Sequence, residues 1–434
     1  MRPRVVAAAI IAVALCSVQL GGAHAAKRRP EAKTKASATA RAVAHPPLDP
    51  LGAGLGTPVP VFDPAGRALD PWWAALDRAA QGKAIARIAF YGASHTAADL
   101  WTGTLRRRLQ ARYGDAGHGF VLPARWNLGY RHQDIATDAT PTWAIARHLR
   151  AHGAAVGDYG LAGLRMESQG AADWAEIRTT TAHALGRSVD RIELWYRTGP
   201  ESGDLMVQLD GAAEVLTGRG AAAVVRKVWT VADGSHALRW TPAGNGTVGV
   251  DGAVFERGPH GVVLDQLGIP GMQAEIHLHW SEGPWAEQLG WRSPDLVVLA
   301  YGTNDVAEPQ DDDSYLAVWQ RVLGRIRKAA PQAACLVVGP SDRQHRQGRK
   351  WVGFERTATV IALQRKVAAA AGCGHWDAQA AMGGPGAISR WIGTGLATGD
   401  RVHLNRDGYA RLAELLDHAL HGGLYGRAKP QRRE

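Results

Sequence analysis

The sequence predicts an α/β protein, a parallel doubly wound sheet with an inserted all-β sandwich, and three observations predict it. Short apolar runs bounded by Gly or polar residues read as buried strands: Ile85–Tyr91 before Gly92, Leu296–Tyr301, and Cys335–Val338. Helical spacing separates them. Trp101, Leu105, Leu109 and Tyr113 recur every four residues, Tyr315–Lys328 and Arg356–Ala371 continue the pattern, and Tyr409, Leu412, Ala413, Leu416 and Leu420 form a last apolar stripe. Strands alternating with helices require parallel pairing and crossovers. The third observation is where that alternation fails. Between about Arg165 and Val263, the segments Arg191–Arg197, Leu205–Leu209, Val224–Val231 and Thr247–Phe255 are short, β-branched or alternating, and divided by Gly and Asn-Gly turns.

The remaining elements follow from the N-terminus onward. Arg2 and Arg4, an apolar run from Val5 to Leu20, and Ala23-His24-Ala25 have the order of a cleaved secretory signal, residues 1–25. The run is short for a bilayer span, so the mature chain is expected to be exported without a membrane anchor. Residues 26–61, rich in Ala, Lys, Arg and Pro, read as a disordered linker. Pro71–Arg78 reads as a helix. The α/β domain takes residues 62–135 and 262–424, the sandwich 136–261, and 425–434 is a basic tail. With Cys16 removed, Cys335 and Cys373 remain, as one bridge or two buried thiols.

A formal charge of +10 raises the question of nucleic acid. No zinc spacing, helix-turn-helix pattern or aromatic RNA-binding signature accompanies it, so an acidic envelope polymer is the expected partner.

In a doubly wound sheet, ligands bind beyond the carboxyl ends of the strands. Gly92-Ala93-Ser94 stands there, as a strand-to-helix turn that can expose a serine hydroxyl. Ser is also a preferred helix cap, so that stretch alone leaves both readings open. A nucleophile needs a base and an orienting acid. Asp400 and His403 lie three residues apart ahead of the last helix, a spacing at which the carboxylate reaches Nδ1 and leaves Nε2 for the serine proton. Asp115/His118, Asp233/His236 and Asp342/His345 share the spacing, and position in the fold is what favours the last pair in the chain. Oxyanion donors are available from Asn304, in Tyr301-Gly302-Thr303-Asn304-Asp305 after a buried strand, and from the Gly271 N–H in Leu267-Gly268-Ile269-Pro270-Gly271.

These four positions, in this order, resemble the four blocks of the SGNH (GDSL-like) hydrolase family, centred on Ser, Gly, Asn and a terminal Asp-x-x-His. The resemblance implies a flavodoxin-like sheet and a serine esterase with Ser94, His403 and Asp400 as nucleophile, base and acid, and with Ser94, Gly271 and Asn304 as oxyanion hole. It implies no cofactor, and the scattered histidines show no metal-ligand spacing. Ser94–Phe120, the insertion and Met382–Leu404 are similar to bacterial peptidoglycan O-acetylesterases, whose inserted β domain resembles a carbohydrate-binding module; this implies an acetylated envelope polysaccharide as substrate. Two residues depart from the pattern. Ala93 stands where the family has a loop-bracing Asp, and Pro270 where it has a small polar residue.

The expected activity is removal of O-acetyl groups by a periplasmic or secreted enzyme. A glycan O-acetyltransferase with the same residues, or a carbohydrate-binding protein on a degenerate scaffold, are the alternatives. Trp101 and Trp391 are expected to bind sugar near the site. The basic stretch Asp342–Lys350 reads either as a steering surface for an anionic polymer or as a solvated loop.

Overall fold

In a computed structural model, residues 43–123, 127, 129–148, 155–308 and 310–426 are described. The expected signal and the start of the linker fall outside them, as does the tail beyond Gly426. Helix α1 (Asp70–Ala80) leads into strand β1 (Ile85–Gly92), the single turn α2 (Ser94–Ala97) and helix α3 (Leu100–Tyr113). A run of strands follows: β2 (Gly117–Val121), β3 (Ile135–Ala139), β4 (Ala144–Arg147), β5 (Leu164–Ser168), β6 (Ala175–Thr179), β7 (Val189–Thr198), β8 (Leu205–Leu209), β9 (Ala212–Leu216), β10 (Ala223–Gly234), β11 (Ala237–Pro242) and β12 (Val248–Glu256). Alternation then resumes with β13 (Gly261–Gly268), α4 (Glu282–Arg292), β14 (Leu296–Ala300), α5 (Asp312–Ala329) and β15 (Ala334–Val338). The hairpin β16 (Gln344–Gln347) and β17 (Lys350–Gly353) precedes α6 (Arg356–Ala370), β18 (Gly374–Trp376), α7 (Ala378–Met382), α8 (Ala387–Gly393) and α9 (Arg406–Gly426).

The parallel sheet has the order β13-β1-β14-β15-β18. Numbered along the chain this is 2-1-3-4-5, the flavodoxin-like order, with its switch point between β1 and β14. The two-residue period of β1 divides the interior. Ala86, Ile88 and Phe90 join the layer of α1, α3 and α9, whereas Ala89 and Tyr91 join that of α4, α5 and α6. Each large side chain buried there contributes about 1.5–3 kcal/mol. Cys335 and Cys373 are bonded, tying β15 to the residue before β18, which settles the choice the sequence left open.

The strands between α3 and β13 form two antiparallel sheets, β10-β7-β12-β5-β4 and β3-β6-β11-β8-β9. Ile192, Leu194 and Tyr196 of β7 share a core with Ile177, Leu238 and Trp240 of the second sheet. Trp195 points the other way, edge-on to Trp291 of α4, so the first sheet also packs on the α/β layer. β2, expected within the α/β segment 62–135, pairs instead with β12 of this antiparallel sheet. Its Gly-x-Gly pattern hid a strand whose Gly117 has β12 backbone where a Cβ would stand.

Two further expectations are corrected. The later part of the linker is seated on the α/β layer: Thr57 N–H donates to Ala381 O (2.8 Å), Phe62 and His375 exchange backbone bonds, and Leu51, Leu55, Val59 and Val61 pack on the core. Its anchors are single residues among Gly and Pro, so no periodic signal marks them. Arg106–Arg108, which the apolar spacing of Trp101, Leu105, Leu109 and Tyr113 places on the other faces of α3 as an expected solvated surface, is not solvated. Arg106 is buried and paired with Asp99 and Asp134, and Arg108 binds Asp417 of α9.

Candidate active site

The registers Gly92↔Gly268 and Gly92↔Ala300 bring β13, β1 and β14 to an end side by side. Ser94, Gly271 and Asn304 follow those ends by two, three and four residues, so all three stand at the switch point. Glycine is required at position 92, because a Cβ there would meet Thr96 Oγ1 at 2.1 Å. The cap reading of Ser94 does not hold: Ala93 occupies the N-cap position, with no side-chain cap, and Ser94 is the first residue of the turn.

Ser94 Oγ lies 2.8 Å from His403 Nε2, and His403 Nδ1 lies 2.6 Å from Asp400 Oδ2. A carboxylate only accepts, so Nδ1 carries the proton and Nε2 presents its lone pair to the serine hydroxyl. Asp400 Oδ1 accepts three more bonds, from Thr398 Oγ1 (2.6 Å), Val402 N–H (3.0 Å) and His403 N–H (3.0 Å). Arg401 at φ 61° supplies the left-handed step that closes this turn. Partial burial alone would raise the Asp400 carboxyl; the bonds from Thr398, the His403 ring and the two amides outweigh it and hold the group well below the usual carboxylate range. The Asp400 and His403 side chains are 50% and 38% exposed, so the pair stands at an open surface.

Asn304 Nδ2 donates to Met272 O (3.0 Å), which ties the Asn304 loop to the turn carrying Gly271 and leaves the amide a second N–H. Gly271 has φ +79°, the left-handed region, with open space where a Cβ would stand. Asp305 is buried, and burial pushes its carboxyl up to about 7.

Of the competing pairs, none is bonded internally. Asp115 accepts from the Gly117 and Gly186 amides and His118 bonds Gly186 O. Asp233 binds Arg257 while His236 binds Asp210, and Asp342 accepts from Gln379 and the Ile388 N–H. Trp101 and Trp391 are corrected. Both are core residues, 3% and 0% exposed, Trp101 edge-on to Phe90 and Trp391 donating to Met382 O. The four-residue stripe containing Trp101 already carried that signal.

Sequence reasoning passed over a supporting layer. His95 Nδ1 lies 2.7 Å from Tyr409 Oη and Nε2 3.2 Å from Ser341 Oγ, with its ring 5.3 Å from that of His403. Burial, then the proximity of His403, pushes its imidazole down to about 3. Adjacency to Ser94 was the one available clue. Among the described residues no cluster of His, Cys, Asp and Glu is arranged to hold a metal ion, and no helix is long and apolar enough to cross a membrane.

Residues 237–411, which include Gly271, Asn304, Asp400 and His403, match the GDSL-like Lipase/Acylhydrolase family. Among solved structures, the chain is similar to one described as "Peptidoglycan O-acetylesterase in action", at 26% identity and TM-score 0.71, covering 84% of this chain and 99% of that one. Weaker likenesses are to a family two carbohydrate esterase from Cellvibrio japonicus (10% identity, TM-score 0.28, covering 67% and 98%) and to the acetyl xylan esterase AlAXEase (20%, TM-score 0.28, covering 36% and 78%). No curated protein matches the sequence. Over residues 237–411 the chain matches the GDSL-like acylhydrolases, and its fold is similar to that of an O-acetylesterase; together the two likenesses support an esterase.

Proposed function

We propose that this protein removes O-acetyl groups from a cell-envelope glycan such as peptidoglycan, outside the cytoplasm. The observation that carries the reading is the hydrogen-bonded line Asp400–His403–Ser94 at the switch point of the sheet. Ser94 Oγ attacks the acetyl carbonyl as His403 Nε2 takes its proton, and Asp400 fixes the imidazole with Nδ1–H toward the carboxylate. The oxyanion is held by the Ser94 and Gly271 N–H groups and the Asn304 amide, each donor being worth about 3 kcal/mol in comparable sites. His403 returns the proton to the leaving sugar oxygen, the tetrahedral centre collapses, and the acetyl group remains on Ser94. Water, deprotonated by His403, then attacks that ester; acetate leaves and the serine regains its proton.

The open setting of the site suits a polymer, because a hydroxyl at the surface can meet an ester on a chain too wide for a closed pocket. The neighbour's printed name, at a TM-score that makes the fold comparison strong, supports acetyl as the group removed. The test is acetate release from p-nitrophenyl acetate and from O-acetylated peptidoglycan by the wild type, Ser94→Ala and His403→Ala. Both variants are expected to lose at least about 10³-fold in kcat. Release by Ser94→Ala equal to the wild type on both substrates would sink the reading.

A further inference from the structure

The basic stretch seen in the sequence is the β16–β17 hairpin, with Gln344↔Gly353, His345↔Val352, Arg346↔Trp351 and Gln347↔Lys350 in register. A two-stranded hairpin is marginal by itself and needs support. It has that support from the catalytic loops. Gln344 N–H donates to Arg401 O (3.1 Å), Arg401 Nη1 donates to Gln344 Oε1 (2.7 Å), and Arg343 Nη1 donates to Thr303 O (2.6 Å). Its root therefore grips both the turn carrying Asp400 and His403 and the loop carrying Asn304. His345 and the Arg343 guanidinium lie against the Phe354 ring, which fixes the second strand's exit.

Two features of this hairpin serve no purpose in the fold. Trp351 is 41% exposed, with the Arg401 guanidinium 4.6 Å from its ring centroid, so the indole is backed by a cation while much of its surface stays in solvent. A held, solvent-facing indole is rare in a protein whose other large aromatic side chains are mostly buried. The second feature is charge. Arg343, Arg346, Arg349, Lys350 and Arg401 gather in one place with no ion-pair partner among the described residues, in contrast to Arg106, Arg197 and Arg292, which are paired with Asp99, Asp251 and Glu256. Burial pushes the Arg343 guanidinium down from its ordinary value, and only Asp400 opposes this. Like charges crowded on one short hairpin and at its root repel one another, a cost relieved by a polyanion.

We propose that the β16–β17 hairpin is the binding arm for a carboxylate-bearing glycan strand, with Trp351 as the surface on which a sugar ring stacks and Arg343, Arg346, Arg349, Lys350 and Arg401 as the cations that meet its carboxylates. This rests on the esterase reading above and adds to it a preference for anionic over neutral acetylated polysaccharides. The arm takes the place of Trp101 and Trp391, and because its root is bonded to the Asp400 and Asn304 loops, a strand lying along it passes Ser94.

Binding is measured without turnover, in Ser94→Ala protein, by co-sedimentation with insoluble O-acetylated peptidoglycan and with neutral acetylated xylan over a range of NaCl. The Ser94→Ala parent is expected to prefer peptidoglycan and to lose affinity steeply as salt rises. Replacing Arg346, Arg349 and Lys350 by Gln should weaken peptidoglycan binding about tenfold or more and flatten the salt dependence. Trp351→Ala should weaken it comparably and leave the salt dependence in place. Equal affinity of the parent for xylan and peptidoglycan, salt-independent binding by the parent, or parental affinity in the triple variant overturns the proposal; the first two need no hairpin variant to fold. Acetate release by the wild type against Ser94→Ala judges the esterase reading separately. The arm can fail with release intact, and release can fail with binding intact.

Discussion

Replacing Asp400 tests the proposed arrangement more sharply than replacing Ser94, because the structure predicts that the closer analogue is the worse enzyme. Three donors converge on Asp400 Oδ1: Thr398 Oγ1, Val402 N–H and His403 N–H. In Asp400→Asn, only the amide oxygen can accept all three, so the NH₂ must take the Oδ2 position and face His403 Nδ1. The ring then accepts at Nδ1 and carries its proton on Nε2, which is the tautomer unable to take a proton from Ser94. The corresponding change in a buried Ser-His-Asp site costs about 10⁴-fold in kcat, or about 5.5 kcal/mol. Asp400→Ala leaves the ring free to choose the productive tautomer and removes one charge-assisted bond, about 1.5–3 kcal/mol, or about 10- to 150-fold. With Asp400 half exposed, water screens the pair and the loss falls toward the low end of that range. The assay is kcat for p-nitrophenyl acetate, with thermal melting to verify folding. If Asp400→Asn retains as much kcat as Asp400→Ala, the tautomer argument is refuted.

Other perturbations follow from the same structure. Asp305 keeps its proton up to about 7 through burial, whereas the unfolded chain releases it near its ordinary value of about 4, so this residue's contribution to stability falls as pH rises between those values. Urea unfolding of Asp305→Asn relative to wild type should improve by up to about 4 kcal/mol across that window, and a pH-independent difference contradicts it. The double change Cys335→Ser with Cys373→Ser opens a loop of sequence separation 38 and should lower stability by about 4 kcal/mol on loop entropy; an unchanged urea midpoint excludes that role. Ala93→Asp would supply the cap that the α2 turn lacks, adding about 1 kcal/mol of stability and a raised kcat, and an unchanged kcat means the turn is already rigid.

The sheet was legible because its strands are continuous apolar runs, and the gathering of Ser94, Gly271 and Asn304 was legible because each follows a strand end by two to four residues, while His403 precedes α9 by three. What escaped reading depends on contacts distant in sequence. Nothing near Arg106 announces Asp134 as its partner, and the spacing of Leu51, Leu55, Val59 and Val61 is neither helical nor strand-like although all four pack on the core. The break between α2 and α3 is not legible, because Asp99 at φ 51° sits inside a stretch with no Gly or Pro to mark it. Trp101 and Trp391 were placed by residue type where burial pattern should have decided. Trp391 follows Ile388 and Ala387 at three and four residues, and all three are buried.

Ala93, standing where the resemblance implies a bracing aspartate, raises the question of what holds the Ser94 turn. Its grip comes from outside. Ile269 N–H donates to Gly92 O (2.9 Å) at the start of the turn, Gln266 Nε2 donates to Thr96 O (2.7 Å), and Arg131 N–H donates to Ala97 O (2.9 Å). At the far end, the buried Asp99 accepts from Thr102 Oγ1, the Gln133 N–H and the Arg106 guanidinium. The side chain following the serine is clamped as well, between Tyr409 of α9 and Ser341. Because α9 begins directly after the His403 loop, the Tyr409 bond to His95 couples the segment that carries Ser94 to the segment that carries His403. Removing the Tyr409 hydroxyl would loosen the spacing between the two, whereas an aspartate at position 93 braces only the turn to which it belongs.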